Sequence, residues 1–394
     1  TSAGVHTGLK RKGQDVGLLF CESQAAAAGV FTRNRTAAAP VTLSKRHLGA
    51  RATHRAVVVN SGCANACTGK EGWENALAMA QAAGKALGVP TEQVLVASTG
   101  VIGKQLDMAR LTPGVRQLGK ELSRGRGNAH FASSILTTDT RLKTAAATTR
   151  VGGREVTVAG AAKGSGMIHP NMATMLGFVA TDAAVSRDAL SAALKRVTRD
   201  TFNMISVDGD TSTNDCVLAL AGGAAGNAPV KAPAGRDYRA FEEALESVAR
   251  DLAVQIVRDG EGATRVFSVR VSGAASGSAA RAIAKSVARS NLVKCAIHGA
   301  DPNWGRIVAA AGYAEAPFEP DKARVTVANG SAESAICLFD RGTPTKFDEA
   351  AAHDLLTKDT ITILLDLEEG RGAAEAWGCD FSHEYVTINA HYRT

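Results

Sequence analysis

Apolar and polar positions along this chain follow two periods, and the periods alternate. "RAVVVN" (55–60) and "EQVLVASTG" (92–100) are short β-branched runs ended by small or polar residues, the mark of buried strands. Between them, "KEGWENALAMAQAAGKALG" (70–88) repeats Trp73, Leu77, Ala80, Gly84 and Leu87 at helical spacing. "KTAAATTRVGGREVTVAGAAKG" folds back on Gly152-Gly153 as a hairpin. Helical stripes return at 186–202, opened by Ser186 as N-cap, and at 238–256, where Phe241, Leu245, Val248, Leu252 and Ile256 give the clearest helix. Strands are expected at 264–273 and 360–367, and a hairpin with an Asn-Gly turn, followed by a helix, within "KARVTVANGSAESAICLF". The small-residue stretch 273–282 reads as a domain junction, dividing a larger unit, 1–273, from a smaller C-terminal α/β unit, 274–394. An α+β fold with mixed sheets follows.

Composition narrows this picture only a little. The chain has 394 residues, 45% of them apolar, and no apolar run reaches the ~18 residues of a membrane span. The start, "TSAGVHTGLKRKG", lacks the apolar core of a signal peptide, so a cytoplasmic location and no membrane association are expected. Seven cysteines are scattered without a framework of pairs, and Cys63 and Cys67 lack the second pair that a zinc site would need. No metal is expected. The net charge of +7 divides into +13 over residues 1–173 and −6 over 174–394. The basic residues are dispersed and no nucleic-acid motif, P-loop or dinucleotide fingerprint accompanies them, so a nucleic-acid partner is not expected.

Chemistry concentrates in "KGSGMIHPNMATMLGFVATDA" (163–183). Gly164 and Gly166 permit unusual backbone angles, Pro170 fixes the approach, and the small Ala173 precedes Thr174 at the head of an apolar strand. β-branching alone would suit that strand. The surrounding residues also suit an internal cleavage. The Thr174 hydroxyl would attack the preceding carbonyl, the peptide would become an ester, and hydrolysis would leave Thr174 as a new chain start. Its α-amino group, with a pKa of ~7.7–8.0, could then deprotonate its own hydroxyl, and no histidine is needed. "ASTGVIG" (97–103) places Thr99 and Gly100 in a tight turn after a strand, where a hydroxyl and a backbone N–H could stabilise an oxyanion. The aspartates of "DGDTSTND" (Asp208, Asp210, Asp215) lack EF-hand spacing and read as a structural turn, and His298 in "HGADPNWGR" reads as a structural histidine.

With these stretches the sequence closely resembles the ornithine acetyltransferase (glutamate N-acetyltransferase) family of arginine biosynthesis. "GVFTRNRTAAAPV", "VVVNSGCANACTG", "ASTGVIG", "LTTDT", "KGSGMIHPNMATML", "DTSTND", "DGEGATR", "NLVKCAIHGADPNWGRI" and "YVTINAHYRT" carry the likeness nearly from end to end. It implies an α-β-β-α layered sandwich and cleavage between Ala173 and Thr174 into fragments of 173 and 221 residues. It also implies Thr174 as nucleophile, taking acetyl from N-acetylornithine and passing it to glutamate. Thr99 and Gly100 would form the oxyanion hole. Thr137, Lys163, Glu261, Asn389 and Thr394 would contact substrate, and the motif does not choose between Thr137 and Thr138, though Thr137 is preferred. No cofactor is implied, while use of acetyl-CoA as a further donor is left open. Paired cleaved protomers, an α2β2 heterotetramer, are the expected assembly. His169, where the family more often has a small residue, would either alter the pH of cleavage or face solvent. The rival function is a self-cleaving amidohydrolase or aminopeptidase of the same architecture.

Overall fold

The structure is a computed structural model and describes residues 1–169, 175–329 and 331–391. Its first sheet contains β1 (Ser2–Val5), β2 (Val16–Phe31), β3 (Thr53–Cys63), β4 (Val94–Val101), β5 (Lys143–Val151), β6 (Arg154–Lys163) and β7 (Leu176–Thr181). It is completed by β9 (Cys216–Ala221), while β8 (Ile205–Ser206) joins the second sheet with β10 (Val266–Ala274), β11 (Arg324–Asn329) and β12 (Ser331–Asp340). That sheet ends with β13 (Thr343–Pro344), β14 (Thr360–Asp366) and β15 (Gly372–Cys379). Among the described residues the two sheets have eight and seven strands, in the orders β4-β3-β2-β9-β7-β6-β5, with β1 on β2, and β13-β12-β11-β14-β10-β15-β8.

The sixteen-residue β2 organises the layers. Its first half pairs with β3, its second half pairs with β9, and a register shift between Phe20 and Ala25 bends it between the two. The halves of the sheet therefore fold over one another. Strand alternation decides which residues meet. Val57, Val59, Leu95 and Ala97 share one buried cluster with Leu176, Phe178, Leu218 and Leu220 across the fold. Ala56, Val58, Val94 and Val96 point the other way, onto the helices Gly69–Leu87 and Met108–Glu121. On the far side, Val179, Val217 and Ala219 pack against the helices Arg187–Asp200 and Arg236–Arg258. Helix, sheet, sheet and helix thus lie in four layers, as the resemblance implied.

The second helical layer and the second sheet share a continuous core, since Leu252 and Ile256 cluster with Phe267 and Val269 of β10. The junction expected after residue 273 falls at the end of β10, a central strand of that sheet. The small-residue stretch there is not a linker. Ser276 caps the helix Gly277–Arg289 by accepting the Ala279 N–H, and Ala280, Ile283, Ala284 and Val287 bury one face of it. Small residues here let a helix lie close on β10 and β15.

Candidate active site

A cavity of about 260 Å³ opens where β4, β6, β7 and the loop before β9 converge. This is room for a ligand the size of an amino acid. Thr99, Gly100, Thr137, Thr138, Lys163, Glu261 and Asn389 all line it, together with Met175, the residue that follows Thr174. Ala173, Thr174 and Thr394 lie outside the described residues. Residues up to 290 positions apart in sequence are thereby brought together, from Thr99 to Asn389.

The turn at Thr99-Gly100 is fixed by main chain. Gly100 has φ 128°, and a Cβ there would come within 2.4 Å of the Gly62 carbonyl carbon and 2.6 Å of the Cys63 nitrogen. Backbone cannot retreat from such a contact, so only glycine fits. Beneath it, Ser98 Oγ donates to Asn60 Oδ1 at 2.6 Å, and Asn60 Nδ2 donates to the Cys63 carbonyl at 2.9 Å. Both side chains are fully or almost fully buried.

Lys163, at the end of β6, is 9% exposed. Its ammonium makes no hydrogen bond with any described residue, while a pocket wall lies against it. Behind it is a buried ionic cluster. Asp139 accepts from the Thr137 N–H at 2.9 Å, the Gly164 N–H at 2.7 Å and the Lys143 ammonium at 2.7 Å. Lys143 also bridges to Asp259, which binds the Thr140 N–H and hydroxyl. Burial would raise the Asp139 carboxyl, but the Lys163 and Lys143 charges and these hydrogen bonds outweigh it and hold the group down at about 2. The cluster locks "LTTDT" against β6 and the end of the helix Arg236–Arg258. Within that segment the Thr138 hydroxyl is engaged by Ser165 Oγ at 2.6 Å, whereas Thr137 reaches Asp139 only at 3.5 Å.

Glu261 is 8% exposed and approaches the backbone where Gly166 has no side chain; a Cβ at Gly166 would sit 2.3 Å from its carboxylate. Asn389 Nδ2 donates to Glu261 Oε2 at 2.8 Å and to the Tyr385 carbonyl at 3.0 Å. Asn389 and Tyr385 sit one turn apart on the helix His383–His391, which has no buried residue of its own. Tyr385 donates to Asp208 at 3.2 Å. Asp208 in turn accepts from the N–H groups of Met167 at 2.5 Å and Ile168 at 2.9 Å, holding Met167 in the left-handed region with φ 56°.

Two expectations are corrected here. "DGDTSTND" is more than a structural turn, because Asp208, Asp210, Ser212, Thr213, Asn214 and Asp215 form a whole wall of the cavity. Its membership in the family-like stretches was the signal available. His169 does not face solvent. It is 8% exposed with Nδ1 3.2 Å from Ser206 Oγ, and burial beside the cationic Lys285, Arg289 and Lys294 pushes it down to about 3. Tyr385 heads the family-like stretch "YVTINAHYRT", but hydrophobic periodicity does not mark the C-terminal helix that places it. His298 is structural as read, its Nδ1 2.7 Å from Asp380. Among the described residues no cluster of His, Cys, Asp and Glu suits a metal ion, and no helix is long and apolar enough to cross a membrane.

Comparison with known proteins bears on the whole chain. The ArgJ family model matches residues 1–394. The arginine biosynthesis bifunctional protein ArgJ of Thermotoga neapolitana is 49% identical over 393 residues, covering 100% of this chain and 98% of that protein. The protein of the same name from Bacillus subtilis is 45% identical over 391 residues, covering 99% and 94%. A crystal structure of the Bacillus halodurans ArgJ protein aligns with a TM-score of 0.51 and 42% identity, over 55% of this chain and 98% of its own. The folded layers, the cavity and these full-length likenesses agree, and the chain belongs to the ArgJ family.

Proposed function

We propose that this chain severs itself between Ala173 and Thr174, and that Thr174 then carries an acetyl group from N-acetylornithine to glutamate. The observation that carries this reading is the convergence of Thr99, Gly100, Thr137, Lys163, Glu261 and Asn389 on one small cavity beside Met175. Each supplies what acyl transfer between amino acids needs. The freed α-amino group of Thr174 takes the hydroxyl proton as the oxygen attacks the acetyl carbonyl. The Thr99 hydroxyl and Gly100 N–H receive the negative charge on that carbonyl oxygen, an effect of ~2.7–4 kcal/mol per donor. Ornithine leaves as the free amine, taking the proton, and glutamate attacks the acetyl-threonine ester by the reverse path. Lys163 offers its ammonium to the α-carboxylate that both amino acids share. Glu261, oriented by Asn389, accepts from the amino group, with Thr137 and Thr394 as further contacts.

Pairing of two cleaved protomers, and acetyl-CoA as a second donor to the same threonine, complete the reading. The cavity faces small molecules, and nucleic acid has no part in it.

Intact mass spectrometry tests cleavage: fragments of 173 and 221 residues are expected, and one uncut, inactive chain in Thr174→Ala. An active Thr174→Ala protein sinks the proposal. Incubation with N-acetylornithine should give N-acetylglutamate only when glutamate is present. Continued ornithine release without glutamate, beyond the one equivalent per enzyme that forms the acetyl-threonine, would instead make the protein a hydrolase. Acetyl-CoA with glutamate, without N-acetylornithine, tests the second donor.

A further inference from the structure

We propose that Asn214 is a positioning residue that sets the oxyanion donors at Thr99-Gly100 against β7, whose first residue, Leu176, lies two positions after Thr174 in sequence; this rests on the transfer reading above. Asn214 is 5% exposed and every atom of its carboxamide is committed. Nδ2 donates to the Ala64 carbonyl at 2.5 Å and to the Ser98 carbonyl at 2.8 Å. Oδ1 accepts from the Thr213 hydroxyl at 2.6 Å. Two carbonyls select the nitrogen and a hydroxyl selects the oxygen, so the orientation of the amide is determined by its partners.

These partners occupy a telling place. Ser98 immediately precedes the Thr99-Gly100 turn, and Ala64 follows the end of β3, with its N–H donating to the Val101 carbonyl on the other side of that turn. One carboxamide therefore holds the main chain on both flanks of the oxyanion donors. Its own backbone is tied to the nucleophile. Two residues on, the Cys216 N–H donates to the Met175 carbonyl at 3.0 Å, and Leu176 and Cys216 are in register across β7 and β9. Met175 follows Thr174 directly. The path from turn to nucleophile thus runs through buried hydrogen bonds: Ser98 carbonyl, Asn214, the Asn214–Cys216 backbone, Met175. After cleavage it joins the first fragment, which holds Ser98 and Ala64, to the second, which holds Asn214, with no covalent link between the two.

Asn214 does not touch the reacting atoms. It acts by holding distance, and a small misplacement of an oxyanion donor is costly to the chemical step while leaving substrate binding nearly intact. Asn214→Asp replaces the donor by an oxygen facing two carbonyl oxygens. Thr213→Val is milder, since it frees the amide by removing the hydroxyl that fixes Oδ1.

The test uses full-length protein whose cleavage has been confirmed by intact mass, with wild type in the same assay. Asn214→Asp should lower kcat about 100-fold and Thr213→Val about 5-fold, with KM for both substrates within about threefold of wild type. Acetylation of the second fragment by N-acetylornithine, followed by mass, should be slow but reach the full wild-type extent. Wild-type kcat in Asn214→Asp overturns the proposal. So does a reduced extent of acetylation at the wild-type rate, which marks loss of folded enzyme and a merely structural role. If Asn214→Asp does not fold or cleave, Thr213→Val decides alone by the same criteria. Wild-type protein that never acetylates would sink the transfer reading itself, a failure distinguishable from the others.

Discussion

The two walls of the cavity are held by different forces. On one side, the Thr99-Gly100 turn is set by strand pairing, by a glycine pressed against the main chain of Gly62-Cys63, and by the buried amides of Asn60 and Asn214. On the other, the helix His383–His391 buries none of its residues and reaches the cavity through single side-chain hydrogen bonds, Tyr385 to Asp208 and Asn389 to Glu261. A wall built from main chain resists displacement, because moving it breaks many bonds at once. A wall hung on a few exposed side chains opens at the cost of one or two hydrogen bonds, each worth ~0.5–1.5 kcal/mol net. In the proposed reaction the rigid wall is the one that carries the oxyanion donors.

The largest effect that would break this contrast is expected at Gly100. In Gly100→Ala the new Cβ meets main chain at 2.4 Å and the residue keeps a φ that alanine rarely adopts. Activity should fall at least ~100-fold through kcat, as for loss of an oxyanion donor. Steady-state kinetics on the cleaved protein decide it, and a kcat within tenfold of wild type would show that the turn is not rigid.

Next is the ionic cluster behind the rigid wall. Asp139→Asn leaves the 1%-exposed Lys143 ammonium with Asp259 as its remaining carboxylate and withdraws a charge from beside Lys163. A loss of ~3 kcal/mol in unfolding free energy is expected, measured by urea denaturation. A loss below ~1 kcal/mol would mean that the amide satisfies Lys143 as well as the carboxylate does.

The looser wall should answer differently. Asn389→Ala is expected to raise KM for both substrates about 5-fold, one hydrogen bond's worth, with kcat and thermal stability nearly unchanged. Tyr385→Phe keeps the ring contact with Phe381 and loses only the bond to Asp208, so its effect should be smaller still. A fall in kcat for Asn389→Ala at constant KM would place this helix in the chemistry and erase the distinction between the walls.

The same contrast explains what could be read from sequence. The rigid wall consists of periodic elements: "EQVLVASTG" forms β4, and the Gly152-Gly153 hairpin forms β5 and β6 and so delivers Lys163. A β-branched run reports the burial of β4, whereas the hairpin is marked by its Gly-Gly turn, its strand β5 being buried only at its two ends. The helix His383–His391 has no apolar stripe, so periodicity is silent there and only the family-like stretch that begins at Tyr385 points to it. The small-residue stretch 273–282 reads as a junction because alanine and glycine suit linkers and close-packed helices alike, and its second half is instead the start of the helix Gly277–Arg289. Asp139, Lys143 and Asp259 look like ordinary surface charges in sequence, since their pairing joins residues 116 positions apart. The family likeness singles out Glu261 and Asn389, and the structure joins them by a hydrogen bond.

The last effect concerns proton linkage, and it falls on two histidines outside the cavity lining. His169, on the approach to residue 170, is pushed from its ordinary 6.5 to about 3 by burial, with Lys285, Arg289 and Lys294 adding repulsion. His54, a buried residue of β3 paired with Ala25 of β2, is lowered to about 4, again chiefly by burial. Folded protein keeps both rings neutral where the unfolded chain would protonate them. Between pH 6.5 and about 4 the unfolded state therefore binds about two more protons than the folded one through these residues, and stability must fall as pH falls. Their contribution is fully present above 6.5 and is lost progressively down to the folded values. In His169→Gln one of the two protons is removed, so the slope of unfolding free energy against pH over this window should drop by about one proton's worth, ~1.4 kcal/mol per pH unit at most. Urea denaturation at a series of pH values measures it. An unchanged slope would mean that His169 takes up its proton without unfolding, and that the approach to the scissile bond yields as readily as the C-terminal helix.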